Sequence, residues 1–232
     1  MKTKNAILLI IILFLVNYPI ISMLNVPKDP ATATGLLQEK IKFKTGSGDD
    51  KEEILVVKFN QASATTKLEI NLDGEHCELK ARYDENHQNK LKYKEVIGEN
   101  EKALIATVKY YEDGDFKLVN PDDKLLWKVK VSYEKVKISD NEESNNYFQI
   151  KKNKKGKLKI YDQGEEEKNF GVIKYKDGKL KVKAVVGEEE KEDLYSTKDL
   201  GDNCFAPGVL MLNKIPAKER AIIVTELLRK GK

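Results

Sequence analysis

VIKYKDGKLKV, residues 172–182, is two alternating strands folded about an Asp177-Gly178 pair. Apolar residues alternate with lysine at a period of two, which puts one row of side chains inward and the lysines outward. An Asp-Gly pair between two such runs is the strongest short-range hairpin signal. Working outward, the return strand Lys179-Leu180-Lys181-Val182 has five earlier counterparts: Lys67-Leu68-Glu69-Ile70, Lys90-Leu91-Lys92-Tyr93, Asp115-Phe116-Lys117-Leu118, Lys135-Val136-Lys137-Ile138 and Lys157-Leu158-Lys159-Ile160. Their first apolar residues recur every 20 to 25 positions, at 68, 91, 116, 136, 158 and 180. So regular a period marks a repeat architecture.

Each copy follows a partner strand. The partners begin at Ile54, Leu79, Ile105, Leu126, Tyr147 and Val172. Turn signals such as Glu112-Asp113-Gly114-Asp115 and Lys155-Gly156 separate partners, and polar loops such as Asp73-Gly74-Glu75 and residues 187–190 separate repeats. Six hairpin repeats make about twelve antiparallel strands, with Ile41-Lys42-Phe43 and Leu194-Tyr195 as candidates for short additional strands at the two ends. So long a meander leaves open edges unless it closes, and closure into a barrel is the expected outcome. Its inward row includes Val57, Phe59, Leu68, Ile70, Val108, Tyr110, Leu158 and Ile160.

The carboxyl-terminal segment supplies a filling for that barrel. After Cys204-Phe205-Ala206, Pro216-Ala217 opens a helix over residues 216–229, and Pro suits a first helical turn. Ala221, Ile222, Ile223 and Val224 are consecutive and apolar, so they cover every side of a helix. An enclosed helix is expected. A second membrane span is not, because Glu226 and Arg229 interrupt a short run.

The amino terminus carries an address. Lys2 and Lys4 precede an apolar run over residues 7–16, and residues 5–27 hold no charge. A basic start before such a run marks an export signal. Residues 6–26 are also long enough to span a bilayer, although Asn17, Pro19, Ser22 and Asn25 weaken the second half. A cleaved signal and a retained anchor both stay open over residues 1–30, with one domain over 36–232. Either way the remainder lies outside the cytoplasm.

Among 232 residues, 42 Lys and Arg oppose 38 Asp and Glu, a net charge of +4 with 34% charged residues. Near-cancellation excludes a single-signed nucleic-acid tail, and 40% hydrophobic residues exclude a wholly disordered chain. Lys2, Lys4, Lys28 and Asp29 are the charges of residues 1–30, so the exported part is closer still to neutral. Two Cys exclude a disulfide-dense scaffold.

Hairpin repeats followed by an apolar carboxyl-terminal helix resemble the tubby-like superfamily, which includes tubby, phospholipid scramblases and LURP-one-related proteins. That resemblance implies a closed twelve-stranded barrel around a central hydrophobic helix over roughly residues 41–228. The unit Phe148-Gln149-Ile150-Lys151-Lys152 leading to Lys157-Leu158-Lys159-Ile160-Tyr161-Asp162, and the ending Ile215-Pro216-Ala217-Lys218-Glu219-Arg220-Ala221, also look like those of exported bacterial hairpin-repeat proteins. The resemblance brings no catalytic residues. Tubby proteins bind phosphoinositides on the cytoplasmic face, whereas an exported barrel faces different lipids.

Candidate sites are few. Lys151, Lys152, Lys154, Lys155, Lys157 and Lys159 form the densest basic stretch. It reads either as a finger for lipid phosphates or another polyanion, or as a solvated hairpin whose lysines keep strand edges unpaired. Cys77 and Cys204 read either as a disulfide, in an oxidising compartment, or as two separate buried thiols. His76 and His87 lack the spacing of a zinc site, and the acidic loops lack that of a calcium loop. No phosphate loop or nucleophile elbow is present, so neither cofactor nor metal is expected. The expected protein is a non-enzymatic barrel, exported or membrane-anchored, acting as a binding or structural module at the cell envelope. The alternative is a lipid-binding or lipid-handling protein. Its expected partners are anionic lipid or envelope polymer and, through the amino-terminal segment, a membrane, with no role for nucleic acid. The oligomeric state stays open.

Overall fold

Alternation and turn chemistry together build six antiparallel hairpins. They are β2 (Glu53–Asn60) with β3 (Thr65–Leu72), β4 (Glu75–Tyr83) with β5 (Lys90–Val96), and β6 (Lys102–Tyr110) with β7 (Phe116–Val119). The others are β8 (Leu125–Val131) with β9 (Lys135–Ser139), β10 (Tyr147–Lys152) with β11 (Leu158–Asp162), and β12 (Lys168–Lys176) with β13 (Lys179–Val186). The computed structural model describes residues 40–46, 51–163, 168–187, 189–198, 200–202 and 204–232. The signal or anchor of residues 1–30 lies outside the described residues.

Both candidate end strands exist, and together they close the sheet. β1 (Lys40–Thr45) pairs with β2 on one side and with β14 (Glu189–Lys198) on the other, with Phe43 opposite Thr197 and Thr45 opposite Tyr195. The result is a closed, fully antiparallel barrel of fourteen strands in meander order, two more than the hairpin repeats alone supply. β14 is longer than the Leu194-Tyr195 pair suggests, because Glu189 and Glu190 belong to it rather than to a loop. Asp73-Gly74 is likewise a two-residue turn rather than a longer loop. Asp73 (φ 54°) and Gly74 (φ 80°) both take the left-handed conformation that a type I′ turn requires, as do Asp177 (54°) and Gly178 (70°).

The barrel is filled by its own chain. Phe205 and α1 (Ala206–Val209) enter at one mouth, residues 210–215 run to the opposite mouth, and α2 (Ala217–Arg229) returns. At the far mouth Lys218 pairs with Glu75 and Glu95, and Trp127 Nε1 donates to Glu219. At the entry mouth the Lys232 ammonium lies 5.6 Å from the Tyr133 ring. Ala221, Ile222, Ile223, Val224 and Leu227 are each 0% exposed, so α2 is covered on all sides. Burying each of the larger of these side chains contributes about 1.5–3 kcal/mol. Gly231 (φ 67°) ends the helix. Its N–H and that of Lys232 donate to the carbonyls of Leu228 and Leu227, which closes a Schellman cap. Gly208 lets α1 touch the wall: a Cβ there would lie 2.9 Å from both Ile150 and Ile173.

Lysine rows cover the outside. A membrane-spanning barrel presents an apolar band on that face, whereas these strands present lysines there. No described helix is long and apolar enough to cross a membrane.

Candidate functional site

In an up-and-down barrel alternate turns share one end. The tips of β6–β7, β8–β9, β10–β11 and β12–β13 therefore follow one another around the entry mouth. The six lysines of the basic stretch occupy the β10–β11 hairpin. Register places Lys151 between Lys135 on β9 and Lys159 on β11, three lysines abreast. The tip is rigid. The Asn153 side-chain oxygen accepts from the amides of Lys155 (3.0 Å) and Lys157 (2.9 Å), and Gly156 takes φ 78° to let the chain return. Lys154, Lys155 and Lys157 point into solvent. A groove of about 610 Å³ beside them is lined by Lys154, Lys155, Lys157, Lys159, Asn169 and Glu190, among others.

Charge compensation separates this hairpin from much of the wall. Elsewhere lysines meet carboxylates: Lys58 with Glu69 at 2.6 Å, Lys67 with Glu78 at 2.5 Å, and Lys183 with Asp193 at 2.8 Å. The hydrogen bond from Lys58 and the Lys67 charge hold the Glu69 carboxyl below its ordinary range. Lys151, Lys154, Lys155, Lys157 and Lys159 pair with no carboxylate among the described residues. Glu190, at the groove, is taken by Lys174.

Tyrosines flank the basic tip. Tyr111, Tyr133 and Tyr175 are 45%, 76% and 52% exposed, and they sit on the β6–β7, β8–β9 and β12–β13 tips around the same mouth. Reading hairpins one at a time misses this arrangement. The signal that finds it is the rule that alternate turns share an end.

The remaining candidates are dispersed. Cys77 on β4 is half-buried near Lys218 at the far mouth, whereas Cys204 is buried at the entry mouth, its Sγ 3.1 Å from the Lys232 carbonyl. Both thiols are free, so the structure holds them as separate side chains rather than as a disulfide. The thirteen residues of α2 at about 1.5 Å each put roughly 20 Å between the two regions, against the roughly 7 Å Cα limit for a disulfide. His76 lies opposite Asn71 in the sheet, and His87 sits 3.4 Å from Asp84 in the β4–β5 loop. Among the described residues no three metal-ligating side chains converge.

One polar cluster is invisible in the sequence. Glu226 on α2 is 0% exposed and accepts from the hydroxyls of Tyr93 and Tyr110, while Arg229 lies 3.4 Å away and donates to Thr66 at 2.6 Å. Burial and the Glu226 charge push both tyrosine hydroxyls well above their ordinary range. These five polar groups satisfy one another and key the helix to the wall. No protein-family model, curated protein or solved structure matches the chain.

Proposed function

We propose that the protein is a non-enzymatic binding module, exported and held at the cell envelope, whose recognition element is the β10–β11 hairpin at the entry mouth. The observation carrying this reading is that five of its lysines have no carboxylate partner among the described residues, whereas lysines across much of the wall do. Its barrel is filled by its own helix, which leaves the outer surface as the place to meet a ligand. Uncompensated lysines on a hydrogen-bonded tip attract an anionic surface, each contributing about 1 kcal/mol of favourable binding near a membrane.

A second reading, lipid binding or lipid handling in the manner of the tubby-like proteins, is favoured by Tyr111, Tyr133 and Tyr175 beside the basic tip. Tyrosine has an apolar body and a polar tip, and such residues gather at membrane–water boundaries. The tubby-like resemblance itself belongs to this proposal. Its helix-filled barrel supports it, and the count of fourteen strands departs from the twelve it implies.

Vesicle flotation at low salt tests both readings. Flotation with anionic vesicles, lost when Lys151, Lys154, Lys155 and Lys157 are changed to Glu, supports the hairpin as the recognition element. Equal flotation with neutral vesicles assigns binding to the amino-terminal segment. Loss on changing Tyr111, Tyr133 and Tyr175 to Ser, with the lysines intact, favours the lipid reading.

A further inference from the structure

A second basic surface lies on the opposite side of the barrel from the β10–β11 hairpin. Register aligns Lys40, Lys58, Lys67, Lys80 and Lys94 directly opposite one another on β1 through β5. Directly opposed like charges destabilise a sheet. This wall carries four such pairs in succession. Adjacent strands lie roughly 4.8 Å apart, so the five ammonium groups form a line about 19 Å long, running across the strands.

The line is set in a groove of about 1010 Å³, which also takes in Arg82 and Lys102. Glu69 and Glu78, one row away, hold the middle of the ladder, with Lys80 3.3 Å from Glu78. At its two ends, Lys40 and Lys94 pair with no carboxylate among the described residues. A ligand lying along the groove therefore meets free charge at both ends and shared charge between them.

We propose that this groove binds a linear acidic polysaccharide, laid across the strands with its carboxylates on the lysine ladder. Lysine is a compact point charge without the fork that arginine offers, so a row of lysines reads charge spacing rather than the shape of one anion. One charge per roughly 5 Å of polymer matches the strand spacing. The other lining groups select the class. Asn60, Thr65 and Asn86 offer amide and hydroxyl contacts, and Glu85 adds a carboxylate, while Asp84 is engaged by Lys92 and by the Asn86 amide. Carboxylates repel a chain that is anionic throughout, such as polyphosphate, but accept hydrogen bonds from sugar hydroxyls. A polymer that alternates carboxylates with hydroxyls suits both sets.

The test is fluorescence anisotropy of the full chain with a labelled polygalacturonate oligomer at low salt. The parent protein binds. Changing Lys40, Lys80 and Lys94 together to Gln weakens binding at least tenfold and lowers the slope of log affinity against log salt by about 2, at roughly 0.7 per charge. Changing the same residues to Arg retains binding, as does changing Lys154 and Lys155 to Gln, which separates this groove from the hairpin. If the triple Gln variant does not fold, Lys40→Gln and Lys94→Gln singly each show a severalfold loss. The proposal is overturned by absence of binding, by binding that ignores the ladder substitutions, or by inorganic polyphosphate displacing the probe better than unlabelled polygalacturonate of equal charge.

Discussion

The hydroxyl of Tyr93 donates to the carboxylate of Glu226, joining the barrel wall to its central helix across 133 residues of sequence. Tyr110 donates to the other carboxylate oxygen, and Arg229 supplies the balancing charge. Removing one member of a buried charged pair costs about 3–5 kcal/mol, because the survivor is left uncompensated. Glu226→Leu is expected to lower unfolding free energy by that amount in urea titrations. The double variant Glu226→Leu/Arg229→Met recovers part of the loss. An unchanged midpoint for the single variant contradicts the key.

Alkaline titration gives a second expectation. Burial, followed by the Glu226 charge, raises the Tyr93 and Tyr110 hydroxyls well above the ordinary value of 10.0. A raised folded value means that the protonated phenol stabilises the fold. That contribution is fully present below pH 10 and is lost as pH rises through the raised values. In an absorbance titration at least two of the ten tyrosines ionise only when the barrel unfolds. Reversible ionisation of all ten near pH 10 contradicts this.

At the far mouth the Arg220 guanidinium is 1% exposed and donates to the Leu210 carbonyl at 2.7 Å and to Asp73 in the β3–β4 turn. Asp73→Asn keeps a residue that tolerates positive φ but removes the charge facing Arg220. Its expected cost is about 1–3 kcal/mol, read as a fall in the urea midpoint. Asp73→Ala costs more, because alanine fits the turn less well.

The two thiols should differ in reactivity. Burial pushes Cys204 up to about 12 and raises Cys77 more modestly. Thiolate is the reactive form, so half-buried Cys77 reacts first with an aromatic disulfide reagent and Cys204 reacts only on unfolding. Two thiols counted after denaturation without reductant complete the expectation. None counted means a disulfide and contradicts the separation of the two by α2.

Legibility followed the range of the interactions. The hairpins are local: a lysine alternation and an Asp177-Gly178 turn carry their own evidence within eleven residues. The enclosed helix is also legible, because Ala221 to Val224 leave no polar side. β14 is not, since EEKEDLYSTK alternates poorly and its partners are fixed by closure with β1 rather than by its own pattern. The Glu226 cluster and the lysine ladder depend on pairings across the barrel and across five strands, and no linear spacing encodes either. The basic hairpin could be located in the sequence, but its lack of partners and its tyrosine neighbours emerge only once the tips share a mouth.

Hydrogen exchange of the α2 amides tests most directly whether the barrel is filled by its own helix. With Ile222, Ile223 and Val224 each 0% exposed, their amides should exchange only through global unfolding, at rates that track the urea-derived stability. Exchange of those amides within seconds under native conditions would contradict an enclosed helix and reopen the barrel interior as a ligand site.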